Sequence, residues 1–71
     1  MRRYLVIIEE AESGFSAFLP DIPGCIATGA SRDEVENAMQ EGVEFHLEGL
    51  RESGEPVPPP RSTAAYVEVA A

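Results

Sequence analysis

Apolar and polar residues alternate along the chain, shift to a helical period and then alternate again, and each shift marks an element. Arg3–Glu9 (RYLVIIE) reads as a strand, with Tyr4, Val6 and Ile8 on one face and Leu5 and Ile7 on the other. Apolar side chains on both faces call for burial on both sides, in a central strand or under another subunit. Glu10 to Gly14 is polar, ends in glycine and has hairpin-loop length. Phe15–Leu19 alternates again, with Phe15, Ala17 and Leu19 set against Ser16 and Phe18. Pro20 and Pro23 then fix φ and remove two ladder donors, so the sheet must break there. Gly24 is there to supply whatever positive φ the corner requires, and Cys25–Thr28 restarts as a short third strand that stops at Gly29.

The period changes at Ser31-Arg-Asp-Glu34, a capping box in which the serine hydroxyl accepts from the Glu34 amide and the Glu34 carboxylate reaches back. Asp33 and Glu34 also suit the positive end of a helix. At about 100° per residue, Val35, Ala38, Met39, Gly42, Val43, His46, Leu47 and Leu50 share one side, and Glu41, Glu44 and Glu48 lie opposite. Gly54 is placed to end the helix, and the prolines from Pro56 onward forbid its continuation, which predicts a helix over Arg32 to Ser53. GEPVPPPRS is an extended connector, and Thr63–Val69 (TAAYVEV) alternates as a fourth strand.

The predicted order is β-β-β-α-β in one domain over residues 1–71, of the α+β class. The first three strands form an antiparallel meander, and a right-handed crossover through the helix brings the last strand parallel to the first and beside it. The helix covers one sheet face. The other face keeps apolar residues because the first strand is apolar on both sides, and such a surface asks for a partner.

Size and charge sharpen that expectation. A chain of 71 residues buries only about 60% of its unfolded surface, and self-association is a common remedy for so small a core. A dimer or tetramer is therefore expected, with Tyr4, Val6, Ile8 and His46 as candidate interface residues. Thirteen acidic residues against five arginines give a net charge of −8, which argues against direct nucleic-acid binding and suits a basic protein partner. Cys25 is the only cysteine, so no disulfide forms within one chain, and no His/Cys set has metal-ligand spacing. The apolar run at Tyr4–Ile8 is shorter than a signal peptide's core and Glu9-Glu10 follow it at once. With no stretch near the roughly 20 apolar residues of a membrane span, a soluble cytoplasmic protein without cofactor is expected.

Catalysis finds little support. General acid–base or metal chemistry needs carboxylates converging in a partly dry cleft. Here Glu9, Glu10 and Glu12 fall on a hairpin tip, while Glu41, Glu44 and Glu48 line a solvated helix face. Asp21, between two prolines, is either a partner contact on a rigid corner or an Asx-type turn accepting a nearby backbone N–H; the turn is the simpler reading. Cys25 has no base at local spacing and reads as a buried structural thiol. His46 lies near the middle of the apolar stripe, as a neutral, hydrogen-bonded core histidine or as a pH-sensitive contact at a subunit boundary.

The strand followed by LPDIPGC, then ATGAS with a helix carrying Glu34, then FHLEGLRESGEPVPPP and a final strand, resembles the HicB-like antitoxin family from Tyr4 to Val69. That resemblance implies a partial ribonuclease H-like fold, dimers or higher homo-oligomers, and non-enzymatic neutralisation of a small basic HicA-type mRNA interferase. The alternative is an orphan homo-oligomer of the same fold with a regulatory role and no toxin. Carried over by position, the matching residues are Pro20, Asp21, Pro23, Gly24, Cys25, Gly29, Gly49, Leu50, Gly54, Pro56 and Pro58, which define the family's fold more than any chemistry. Many members append a DNA-binding segment. This sequence ends at Ala71, so autorepression through such a segment is not expected. Ribonuclease H enzymes would place a catalytic carboxylate in the first strand, and Tyr4–Ile8 holds none, so nuclease activity is not expected either.

Overall fold

The structure, a computed structural model, describes residues 2–71. Three strands precede one helix: β1 (Ile7–Ala11), β2 (Gly14–Phe18), β3 (Ile26–Gly29) and α1 (Arg32–Glu52). The strands form an antiparallel sheet in the order β1-β2-β3, as the meander required. The register pairs Ile7 with Phe18 and Phe18 with Ile26, and, one residue along, Ile8 with Ala17 and Ala17 with Ala27. Side chains directly opposite share a face, so the Ile8–Ala17–Ala27 row lies inward and the Ile7–Phe18–Ile26 row outward.

The helix starts where the capping box put it. Ser31 is extended at φ −136° and its side chain accepts from the Glu34 N–H, while the Glu34 carboxylate accepts from the Ala30 N–H at 2.9 Å. Its end is a Schellman motif: Glu55 N–H donates to the Leu50 carbonyl at 2.9 Å and Gly54 N–H to the Arg51 carbonyl at 3.1 Å. Gly54 sits at φ +73° there, a conformation that costs any other L-residue about 1–2 kcal/mol.

The buried core is Ala17 from β2, Leu19, Ile22 and Cys25 from the proline corner, and Val35, Met39 and Leu47 from the helix. The helix lies on β3 and β2. Its dry stripe is narrower than the helical projection suggests: Ala38 and Gly42 are exposed, while Val43 and Leu50 pack partly against the core.

The structure departs from the sequence reading at both ends. The first strand was expected from Arg3 but joins the ladder only at Ile7. The register explains the delay, because the next partners after Phe18 are Leu19, whose N–H donates to the Cys25 carbonyl instead, and Pro20, which has no N–H. Tyr4 to Val6 are half-buried outside any ladder. Thr63–Val69, expected as a fourth strand parallel to the first, pairs with no strand in the single chain, and every residue from Thr63 onward is exposed. Ala64, Ala65 and Tyr66 instead line, together with Leu5–Ile8, an open groove of about 530 Å³.

Candidate protein-binding surface

The proline corner is a plug with a rigid rim. Three backbone bonds close it: Leu19 to Cys25, Ile22 to Leu19 and Cys25 to Ile22, each written donor to acceptor, at 3.3–3.4 Å. They aim Leu19, Ile22 and Cys25 into the core, with Ile22 at 0% exposure, and leave Pro20, Pro23 and Gly24 outside. Gly24 takes φ +82° to close the turn. The Cys25 thiol lies 3.7 Å from the Met39 sulfur, and burial pushes its pKa up, away from the thiolate a nucleophile needs.

Asp21 does something the sequence did not show. It caps no local turn. One carboxylate oxygen, Oδ2, accepts from the backbone N–H groups of Arg61 and Ser62 at 2.8 and 2.9 Å, and Oδ1 accepts from the Ser62 hydroxyl at 2.8 Å. The Ser62 amide, then the Arg61 amide and the Ser62 hydroxyl, hold the Asp21 carboxyl below its ordinary value of 3.8. The corner is thus the anchor for the C-terminal arm. A second clamp lies nearby, where the Tyr4 hydroxyl donates to the Pro58 carbonyl and Val57 packs on the core.

The outer sheet face carries the apolar row that a partner would cover. Ile26 is 77% exposed, Phe18 38%, and Ile7, at the β1 end of the row, is half-buried. Two residues along, the same face turns polar at Glu9, Ser16 and Thr28. The interface residues named from sequence, Tyr4, Val6 and Ile8, belong to the other parity. They pack partly against the core and line a groove of about 850 Å³ that opens beside the helix, because α1 covers β2 and β3 but not β1. The helix dictates this choice, since it claims the face where Ala17 leaves room for it.

His46 is half-buried at the margin of the stripe, not enclosed in its middle. The adjacent Phe45 is 80% exposed, on the acidic side of the helix with Glu41, Glu44 and Glu48. In the sequence its signal is a bulky aromatic among glutamates spaced three and four residues apart, off the apolar stripe. Gly29 closes β3, Gly49 lies on the exposed helix side, Leu50 is half-buried, and Pro56 and Pro58 lead the arm back to Tyr4. Among the described residues no three His, Cys, Asp or Glu side chains converge as a metal site, and no helix is long and apolar enough to cross a membrane.

The described residues thus present an open sheet face, an acidic helix side and an arm clamped at Asp21 and Tyr4. The chain belongs to the family described as HicB_like antitoxin of bacterial toxin-antitoxin system, whose model matches residues 4–70. It is 31% identical over 64 residues to an uncharacterized 14.9 kDa protein in the rep-hol intergenic region of Haemophilus phage HP1, covering 90% of this chain and 48% of the phage protein. It is 36% identical over 44 residues to a UPF0150 protein of Helicobacter pylori, covering 62% of this chain and 61% of that one. The chain therefore spans about half to three-fifths of the length of these relatives. Among solved structures it is similar to a chain of the HicA3 and HicB3 toxin-antitoxin complex, at a TM-score of 0.71 and 32% identity, over 83% of this chain and 70% of that chain.

Proposed function

We propose that this chain is a non-enzymatic binding module that neutralises a small basic HicA-type mRNA interferase by covering its surface. The observation that carries the reading is the likeness, in fold and in sequence, to a chain of a toxin–antitoxin complex. Physical chemistry supports it from two sides. A net charge of −8 accelerates encounter with a basic protein and disfavours RNA as a competitor for the same surface. The Ile7–Phe18–Ile26 row offers the apolar, desolvatable centre on which binding energy concentrates.

In this reading the proline corner and the family-motif glycines and prolines hold the sheet in shape, and none of them performs chemistry. The partner acts on mRNA, so both proteins work in the cytoplasm. The partial ribonuclease H-like topology belongs to the same reading and needs a fourth strand on β1.

The test is to express a HicA-type toxin, alone and together with the chain, starting from any small basic reading frame found beside this gene. Growth arrest by the toxin that co-expression relieves, with the two proteins co-purifying, supports the proposal. Arrest that persists at full expression of this chain overturns it.

A further inference from the structure

Phe45 is 80% exposed on a helix whose buried residues are Val35, Met39 and Leu47. At about 100° per residue it points almost opposite to Leu47 and to half-buried Val43. The body of the helix therefore stands between this ring and the sheet.

Two glycines flank Phe45 on the same side. Gly42 comes three residues before it and Gly49 four after, the spacings that make neighbours on a helix surface. A Cβ added at either would meet nothing within 4 Å, and neither glycine has a positive φ. Folding of the single chain gives no reason for glycine at these positions, where alanine would favour the helix. What two bare positions do provide is exposed backbone that another chain can approach closely. Exposed Ala38, four residues before Gly42, lengthens this shelf to about 16 Å along the axis, or about three turns.

Glutamates border the other side of the ring. Glu41, Glu48 and Glu52 are all exposed there. No arginine or lysine lies between Ala38 and Leu50. Among the described residues the one ion pair is Arg32–Glu36, at the start of the helix, so these three carboxylates meet no cation.

Shape and charge together choose the occupant. A straight shelf with no side chains fits the ridge of a second helix. Uncompensated carboxylates call for arginine or lysine on that helix, and Phe45 offers the same cation a ring face to lie over. A second copy of this chain would bring the same glutamates to the contact and be repelled.

We propose that α1 carries a docking face for a basic helix of another protein, centred on Phe45. Gly42 and Gly49 form the seat, and Glu41, Glu48 and Glu52 pair with the incoming cations. Because α1 covers the inner face of the sheet, this site lies on the opposite side of the molecule from the Ile7–Phe18–Ile26 row. A protein covering that row leaves the helix site free, and the chain can hold two partners at once.

The experiment titrates the ¹⁵N-labelled full chain with a synthetic alanine-rich peptide of about 16 residues, long enough to be helical in isolation. Arginine stands at every fourth position of the peptide. Saturable shifts are predicted at the amides of Ala38, Gly42, Phe45 and Gly49, with those of Phe18 and Ile26 unmoved. Gly42→Ala combined with Gly49→Ala keeps every charge and favours the helix, so this variant stays folded and should bind at least about tenfold more weakly. Phe45→Ala, at an exposed position, should weaken binding to a similar extent. Equal affinity of the double alanine variant would mean that the glutamates attract charge without a seat, and would overturn the proposal. So would shifts that never saturate, or equal binding of a peptide with glutamate in place of arginine. No toxin enters the titration, so its result stands whether or not toxin rescue succeeds.

Discussion

Asp21 and Ser62 are joined twice across forty-one positions, through the Ser62 N–H to Oδ2 at 2.9 Å and the Ser62 hydroxyl to Oδ1 at 2.8 Å. The carboxylate of a two-proline corner thereby fixes the place at which the C-terminal arm leaves the fold. Asp21→Asn keeps the shape but removes the charge and one acceptor, so the amides of Arg61 and Ser62 should exchange with solvent several-fold faster. Amide exchange read by NMR checks this, with the amides of the Val35–Leu47 helix stretch as the unchanged control.

The same bonds predict a pH dependence. Because they hold the Asp21 carboxyl below its ordinary 3.8, their contribution is present in full above that value and is lost as pH falls through the lowered one. Protection at Arg61 and Ser62 should therefore be flat from pH 7 to about 5 and fall below about 3.8. Asp21→Asn should abolish that step.

Ile22 plugs the core at 0% exposure. Its replacement by alanine leaves a cavity beneath the corner and should cost about 2–5 kcal/mol. In a domain this small such a loss is a large share of the total stability. Urea unfolding followed by circular dichroism measures it. Gly54→Ala, at φ +73°, should cost less, about 1–2 kcal/mol, by straining the helix stop alone.

How much of this was legible in the sequence follows from the range of the interactions. The helix, with its Ser31 cap and its Gly54 stop, is set by residues within five positions of one another, and both ends came out within one residue. The meander was legible because short loops force antiparallel neighbours. Asp21 was not, because its partners lie forty positions away and no local pattern announces them. The choice of the exposed sheet face also escaped: Tyr4–Ile8 is apolar on both sides, and only the small Ala17 and the seated helix decide which side is inner. The fourth strand expected over Thr63–Val69 does not form in the single chain, because alternation in the sequence names no edge for it to join.

The exposed row separates stability from binding. Ile26→Asp, at a position 77% exposed, should change folding stability by no more than about 0.5 kcal/mol. In the proposed complex the same change puts a charge at the centre of the covered surface and should weaken partner binding at least about tenfold, the scale of a hot-spot residue. Thermal unfolding and calorimetric titration with the partner measure the two effects.

The most direct measurement of the central claim titrates the RNA-cleaving activity of the proposed HicA-type partner with this purified chain. The account predicts cleavage that falls linearly to zero at a fixed stoichiometry, and an Ile26→Asp chain that needs a large excess for the same effect. Undiminished cleavage in the presence of excess folded chain, or equal inhibition by the variant, would contradict it.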